Sequence, residues 1–163
     1  MTVTLTDGVV TLRPWGSADA PFMAAAFRDP EIRRYNGEIT DAAATIAEFE
    51  EQWRTFSTDA PSVVVFAITD ATSGDRLGCC GLDEWTADDV VQFGYWLAPD
   101  VRGRGYASRA AALLTRWLFE LGATRVVLKI KVGNDASAAV AHRAGFTHQE
   151  THDDVMVFAA FKP

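Results

Sequence analysis

Cysteine is scarce in this sequence. The chain of 163 residues holds two, Cys79 and Cys80, and they are adjacent. Neighbouring cysteines build no disulfide framework, and no CxxC-type spacing offers a metal site, so no metal is expected. Both sit in the apolar run LGCCGL and read as small core residues rather than reactive thiols. Long apolar runs are missing too. None approaches ~18 residues, so no membrane span is expected. The opening MTVTLTDGVV has no basic stretch leading into an apolar one, and the expected location is the cytoplasm. Positive charge is in deficit, with 15 Lys and Arg against 22 Asp and Glu and a formal net charge of −7. That argues against a nucleic-acid partner, which needs a basic face. It suits solubility, and it is compatible with a cationic substrate.

What remains is the profile of one globular domain, expected to run over residues 1–163. The length can bury a full core, and 48% hydrophobic with 23% charged residues is ordinary. The chain opens with alternating residues around Asp7-Gly8, the pattern of a hairpin or two small strands. Ser17 is placed to cap a helix running to about Arg28, with Pro30 after its end. Thr40-Asp41 starts a second helix on which Ile46, Phe49, Trp53 and Phe56 recur at helical spacing. The period then changes. SVVVFAITD, DRLGCCGLDEW and VVQFGYWL are strand-like runs separated by short turns, which predicts an antiparallel meander.

A helix is expected from about Tyr106 to Leu121, with Ala110, Leu114 and Leu118 on its apolar face. TRVVLKIKV follows as a strand. Reached through a helix, it is expected to run parallel to the strand before it. A short helix after Asn134-Asp135 stops at Gly145, and VMVFAAF closes the chain as a strand that either covers an edge or pairs with a neighbour. The predicted order is β-α-α-β-β-β-α-β-α-β, a mixed α/β domain.

The stretch VRGRGYA, residues 101–107, lies between a strand and a helix. A glycine-rich turn there presents backbone N–H groups at a helix N-terminus, which is an anion site by construction. Arg102 and Arg104 add charge, and Gly103 and Gly105 clear the approach. A tight turn that needs glycine for its φ angles, with arginines in solvent, explains the same residues. No Walker GxxxxGK sequence is present. The Gly103-x-Gly105 pair follows about 100 residues of other structure, which is the wrong place for a dinucleotide fingerprint.

Three features resolve the ambiguity by resemblance. Gly94-Tyr95-Trp96-Leu97 precedes Pro99 and Arg102-x-x-Gly105-x-Ala107. Asn134-x-x-Ser137 precedes Gly145-Phe146. Leu12-Arg13-Pro14, Asp19 and Asp29-Pro30-Glu31 stand near the start. This combination resembles the GNAT superfamily of acetyl-CoA-dependent N-acetyltransferases, in the subgroup containing the ribosomal-protein N-terminal acetyltransferases. The resemblance implies a mostly antiparallel central sheet, splayed at one parallel strand pair and flanked by helices. It implies acetyl-CoA as cosubstrate, its pyrophosphate on the N–H groups of Arg102, Gly103, Arg104, Gly105, Tyr106 and Ala107. It implies contacts to the pantetheine from the strand ending at Leu97 and from Asn134. It also implies direct attack by a primary amine in a ternary complex.

Backbone N–H near Leu97 is then the oxyanion candidate, and Ser137 the group near the departing sulfur. Asn134 caps its helix, binds the pantetheine, or does both. The general base departs from the family pattern. Where many members carry glutamate, this chain has Gln92, which can position a water but cannot take a proton. The tyrosine that several members use after the Gly-Phe pair is absent from Thr147-His148-Gln149-Glu150. Asp83, Glu84, Glu38, His148 and His152 remain as proton acceptors. The acceptor is a protein N-terminus or a small amine, and a homodimer, found in the subgroup, is held open. The alternative reading is a CoA-binding module with little or no catalytic activity.

Overall fold

The computed structural model describes residues 2–163. The chain opens as a hairpin, β1 (Leu5–Thr6) and β2 (Val10–Pro14). The Asp7 carboxylate accepts the Val9 and Val10 N–H groups at 2.9 Å each and shapes the turn. The helix expected from Ser17 begins instead as a 3₁₀ turn, Ser17–Asp19, and continues as α1 (Ala20–Ala26). Ser17 caps nothing there. Asp19 does the local work, accepting Gly16 N–H at 2.9 Å, Arg13 at 2.8 and 2.9 Å, and Arg76 Nε at 2.7 Å. Asp19 is 1% exposed, so this network pins the start of α1 to the sheet from inside.

A second helix, α2 (Pro30–Asn36), was not expected from the sequence. Pro30, read as a terminator, is its first residue. Proline at that position gives up an N–H that would have no helical partner anyway. Asp29 caps α2 by accepting Ile32 N–H at 3.1 Å. The expected helix at Asp41 is α3 (Ala42–Thr55), with the Asp41 carboxylate accepting Ala44 N–H.

The meander follows as β3 (Val65–Asp70), β4 (Arg76–Trp85) and β5 (Val90–Leu97). Helix α4 (Tyr106–Glu120) crosses to β6 (Arg125–Lys131), and α5 (Asp135–Arg143) leads to β7 (Thr147–His152) and β8 (Val155–Phe161). The strand β7 was missed because THQETH is polar and wholly exposed, with no apolar face to signal a period. It pairs on the outer side of β8. The eight strands form one sheet in the order β1-β2-β3-β4-β5-β6-β8-β7. Every neighbouring pair is antiparallel except β5 and β6.

Side-chain alternation puts the core on both faces of the sheet. Val91 and Phe93 of β5 join Leu114 and Leu118 of α4 and Phe158 of β8 on one face. Trp96 of β5 joins Trp15, Met23, Phe27 and Ile46 on the other. Leu114 and Leu118 are fully buried, and each such side chain contributes ~1.5–3 kcal/mol.

The feature that positions the site is the parting of the parallel pair. β5 and β6 share three rungs, Val90 with Arg125, Val91 with Val126 and Gln92 with Val127. Beyond Gln92 they separate. Ala98 N–H donates to the Leu77 carbonyl at 2.9 Å, and Trp96 and Gly94 stand in the same phase against β4. The antiparallel alternation therefore turns the backbone groups of Tyr95 and Leu97 away from β4, into the gap that β6 leaves.

Candidate active site

Helix α4 begins at the end of this gap. Its N-cap residue, Gly105, has φ +82°, and Gly103 has φ +77°. Nothing lies within 4 Å of where a Cβ would stand on either. The glycines are there for left-handed backbone, a conformation other residues rarely adopt. No side chain caps α4, so its first-turn N–H groups face outward with the positive end of the helix dipole.

The arginines play different parts from those expected. The Arg102 guanidinium donates to Asp29 at 2.9 Å, to Glu31 at 2.5 Å and to the Leu97 carbonyl at 3.3 Å. Two carboxylates at the start of α2, the N-cap Asp29 and Glu31 of the first turn, therefore hold the side chain that was expected to face a phosphate. Arg102 ties α2 to the loop, and the Asp29 carboxyl is held below its ordinary range chiefly by this hydrogen bond. Arg104 turns back to the Asp100 carbonyl at 3.4 Å and is not part of the cavity wall. What the loop offers a ligand is backbone.

The cavity at this loop measures about 170 Å³ and runs from Gly103, Gly105 and Ala107 to Asn134 and Ser137. A second, about 640 Å³, opens on the α1–α3 side, against Asp83, Gln92, Gly94 and Lys129. They share Tyr95, Trp96, Asn134 and Ser137, with Tyr35 and Asn36 of α2. At the junction the Tyr95 hydroxyl donates to Ser137 Oγ at 3.0 Å. Asn134 caps α5, its side-chain oxygen accepting Ser137 N–H at 3.3 Å, and so fixes the serine in the first turn. Burial raises the Tyr95 phenol pKa, the Ser137 contact lowers it less, and the group stays protonated. Tyr95 was quoted only as part of the GYWL pattern. The signal for its role was period-2 alternation, which puts it on the α5 face with Val91 and Phe93.

The other expected residues separate clearly. Leu97 N–H faces the gap. Gln92 lies on the wall of the larger cavity, beside Asp83. Glu84 stands across from Gln92 in register but lies outside both cavities. Glu38, His148 and His152 are outside them as well. His148 instead meets Thr151 Oγ1 at 2.8 Å on the exposed β7 edge. Burial pushes the Cys79 thiol up to about 12 and raises Cys80 well above its ordinary value, so neither is a thiolate at neutral pH. Among the described residues no group of three or more His, Cys, Asp or Glu is placed to hold a metal ion. None of the described helices is long and apolar enough to cross a membrane.

An anion cradle at a helix N-terminus, followed by a strand edge left free where a parallel pair parts, suits a long ligand with a phosphate end and an amide-bearing arm. The chain matches the acetyltransferase (GNAT) domain over residues 10–147. It belongs to the GNAT acetyltransferase family. Among curated proteins, the "Putative ribosomal N-acetyltransferase YdaF" of Bacillus subtilis is 29% identical over 98 residues, 60% of this chain. That match spans 52% of the relative, so this chain covers about half its length. A solved structure described as a "putative ribosomal-protein-serine acetyltransferase" from Vibrio cholerae superposes with TM-score 0.82 at 17% identity, covering 98% of this chain and 97% of that one. RimL, the ribosomal L7/L12 α-N-protein acetyltransferase in complex with coenzyme A, superposes with TM-score 0.77 at 18% identity, covering 99% and 98%. At these identities the likeness concerns the fold. The sheet is the expected mixed one, mostly antiparallel and parted at a parallel pair.

Proposed function

We propose that this chain is an N-acetyltransferase that moves acetyl from acetyl-CoA to a primary amine by direct attack in a ternary complex. The observation that carries it is the meeting of the two cavities at the Tyr95–Ser137 hydrogen bond. The smaller cavity holds the cofactor and the larger one the amine. The N–H groups from Arg102 to Ala107 receive the pyrophosphate. Asn134 and the free edge of β5 hold the pantetheine arm. When bound, acetyl-CoA supplies an activated thioester for the amine to attack. Leu97 N–H faces the developing oxyanion, and Ser137, supplied with a proton by Tyr95, meets the departing sulfur. The protonated, buried Cys79 on the acceptor wall supports direct attack over an acyl-enzyme route.

The acceptor is an amine of low pKa, a protein or peptide N-terminus first, in keeping with the ribosomal-protein acceptors named for the relatives. No glutamate replaces Gln92 to help deprotonate a strongly basic amine. At pH 7 an α-amino group of pKa ~7.8 is about one-seventh neutral, whereas a lysine amine of pKa ~10.4 is neutral at below ~0.1%. The difference is roughly 3.5 kcal/mol.

The test measures CoA thiol release from acetyl-CoA over a panel of α-amines, arylamines and lysine-type amines at pH 7, with thermal melting beside it. Acetyl-CoA, and neither ATP nor NAD, raises the melting temperature, and α-amines react at least tenfold faster than lysine-type amines. Equal rates on both classes defeat the acceptor assignment. Stabilisation by acetyl-CoA with no turnover of any amine defeats the enzyme reading in favour of a binding module.

A further inference from the structure

The chemistry still lacks a group to take the proton that the attacking amine must lose. Gln92 cannot accept it, and Glu84, Glu38, His148 and His152 lie away from both cavities. One carboxylate does reach the larger cavity, that of Asp83 on β4.

Between Leu82 and Glu84 the β4–β5 register shifts. Leu82 stands opposite Phe93, and Glu84 opposite Gln92, so Asp83 is the extra residue of a β-bulge. Alternation from the Gly81–Gly94 and Leu82–Phe93 rungs sets Asp83 on the face of Gln92 and Gly94, against the larger cavity. A Cβ on Gly94 would lie 3.5 Å from Asp83 Oδ2, so the carboxylate hangs directly over the backbone there. Gly94 is just past the last rung joining β5 to β6. The next residue, Tyr95, reaches Ser137 on the opposite face. Two neighbouring strands thus place the Asp83 carboxylate of β4 over Gly94 on the acceptor side of the gap and the Tyr95 hydroxyl of β5, paired with Ser137, on the side of α5.

We propose that Asp83 is the proton acceptor for the attacking amine. The inference rests on the acetyltransferase reading above. The nitrogen–carbon bond forms as the carbon–sulfur bond breaks. The nitrogen's proton passes to the Asp83 carboxylate and from there to solvent. The sulfur takes a proton from Ser137 Oγ, which is replaced from Tyr95 and in turn from solvent. A carboxylate is basic enough because the nitrogen is cationic once it has attacked and loses its basicity as it becomes an amide. Burial raises the Asp83 pKa, with the Gln92 amide and the Lys129 charge opposing that rise. The other titratable groups on the wall are Lys131 of β6, Arg34 and Tyr35 of α2, Tyr95 of β5 and Cys79 of β4. Gln92 becomes a positioning residue that holds the carboxylate.

The experiment compares wild type, Asp83→Asn and the double variant Asp83→Asn/Gln92→Glu on an α-amine acceptor, with acetyl-CoA affinity measured separately. A general base contributes ~10²–10⁴-fold, and Asp83→Asn is expected to lose at least ~10²-fold in kcat. Its acetyl-CoA affinity and melting temperature stay within twofold and a few degrees of wild type. In wild type, kcat/KM falls on acidification as the amine and Asp83 both protonate, and the variant keeps only the amine's share of that fall. The double variant, with a carboxylate restored one strand away, regains at least tenfold. An Asp83→Asn enzyme within threefold of wild type in kcat and with an unchanged acidic pH profile overturns the assignment while leaving the acetyltransferase reading intact. A wild-type protein that acetylates no amine overturns both. A variant that loses acetyl-CoA binding and activity together, with no recovery in the double variant, assigns Asp83 to structure and also overturns it.

Discussion

Replacing Tyr95 by phenylalanine removes one oxygen and tests whether the hydroxyl pair acts as a relay. In the folded chain that oxygen donates to Ser137 Oγ at 3.0 Å, both residues being half-buried. A neutral hydrogen bond of this kind contributes ~0.5–1.5 kcal/mol net. If the whole of it is felt as the sulfur departs, kcat falls by about 2- to 13-fold. Ser137→Ala removes the group proposed to meet the sulfur and is expected to cost more, ~10²-fold. Tyr95 acts only through Ser137, so the two losses do not add. The double variant should match Ser137→Ala within twofold.

The assay is steady-state kcat for thiol release with saturating acetyl-CoA and an α-amine. Because the Tyr95 phenol pKa is raised, tyrosine stays protonated and the Tyr95→Phe loss should be flat between pH 6 and 9. Thermal melting is expected to fall by no more than ~4 °C. Multiplicative losses in the double variant would refute the relay. So would a Tyr95→Phe loss that grows with pH, which would make the tyrosine a base.

Two further perturbations address the scaffold. Asp19→Asn strands Arg13 and Arg76 around a site that is 1% exposed and should cost ~3 kcal/mol in chemical denaturation at pH 7. Burial raises the Asp19 pKa, but the Arg13, Gly16 and Arg76 hydrogen bonds outweigh it and hold the carboxyl far below the ordinary range. Its stabilisation is therefore complete above ~pH 5 and lost as pH falls below the unfolded value near ~3.9. The wild-type stability curve should drop through that acid window and the Asp19→Asn curve should stay nearly level there. Arg102→Ala frees α2 from the loop and is expected to raise KM for both acetyl-CoA and amine severalfold while lowering stability by under ~1 kcal/mol. Arg102→Lys should not restore KM, since an ammonium cannot span Asp29 and Glu31 as the planar fork does.

Where apolar residues keep a period, the sequence announces the element. The meander from β3 to β5, helix α4 and strand β6 all appear within a few residues of their predicted bounds. The two missed elements carry no such signal. β7 is wholly polar and is a strand only because β8 offers it a ladder. α2 has seven residues, one buried, and hides behind a proline that reads as a stop. The site divides the same way. Gly103, Gly105 and Asn134 do local jobs, a left-handed turn and a cap, and local pattern points to them. Asp83 faces a cavity whose other walls come from strands and helices distant in the chain. The Tyr95–Ser137 bond joins residues 42 apart.

Arg102 shows how local pattern misses the partners of a side chain. An arginine between glycines at a helix start looks like a phosphate ligand, because its partners Asp29 and Glu31 are 73 and 71 residues away. Once they are seen, the motif divides into two parts. Backbone N–H groups face the cavity, and the guanidinium clamps α2. That clamp has a functional consequence. Residues of α2 line both cavities, with Tyr35 and Asn36 on the shared wall. Anything that orders the loop from Arg102 to Ala107 therefore also bears on the wall that Tyr35 and Asn36 give both cavities. In the proposed mechanism, the loop assigned to the acetyl donor and the helix on the acceptor side are thus tied together by Arg102.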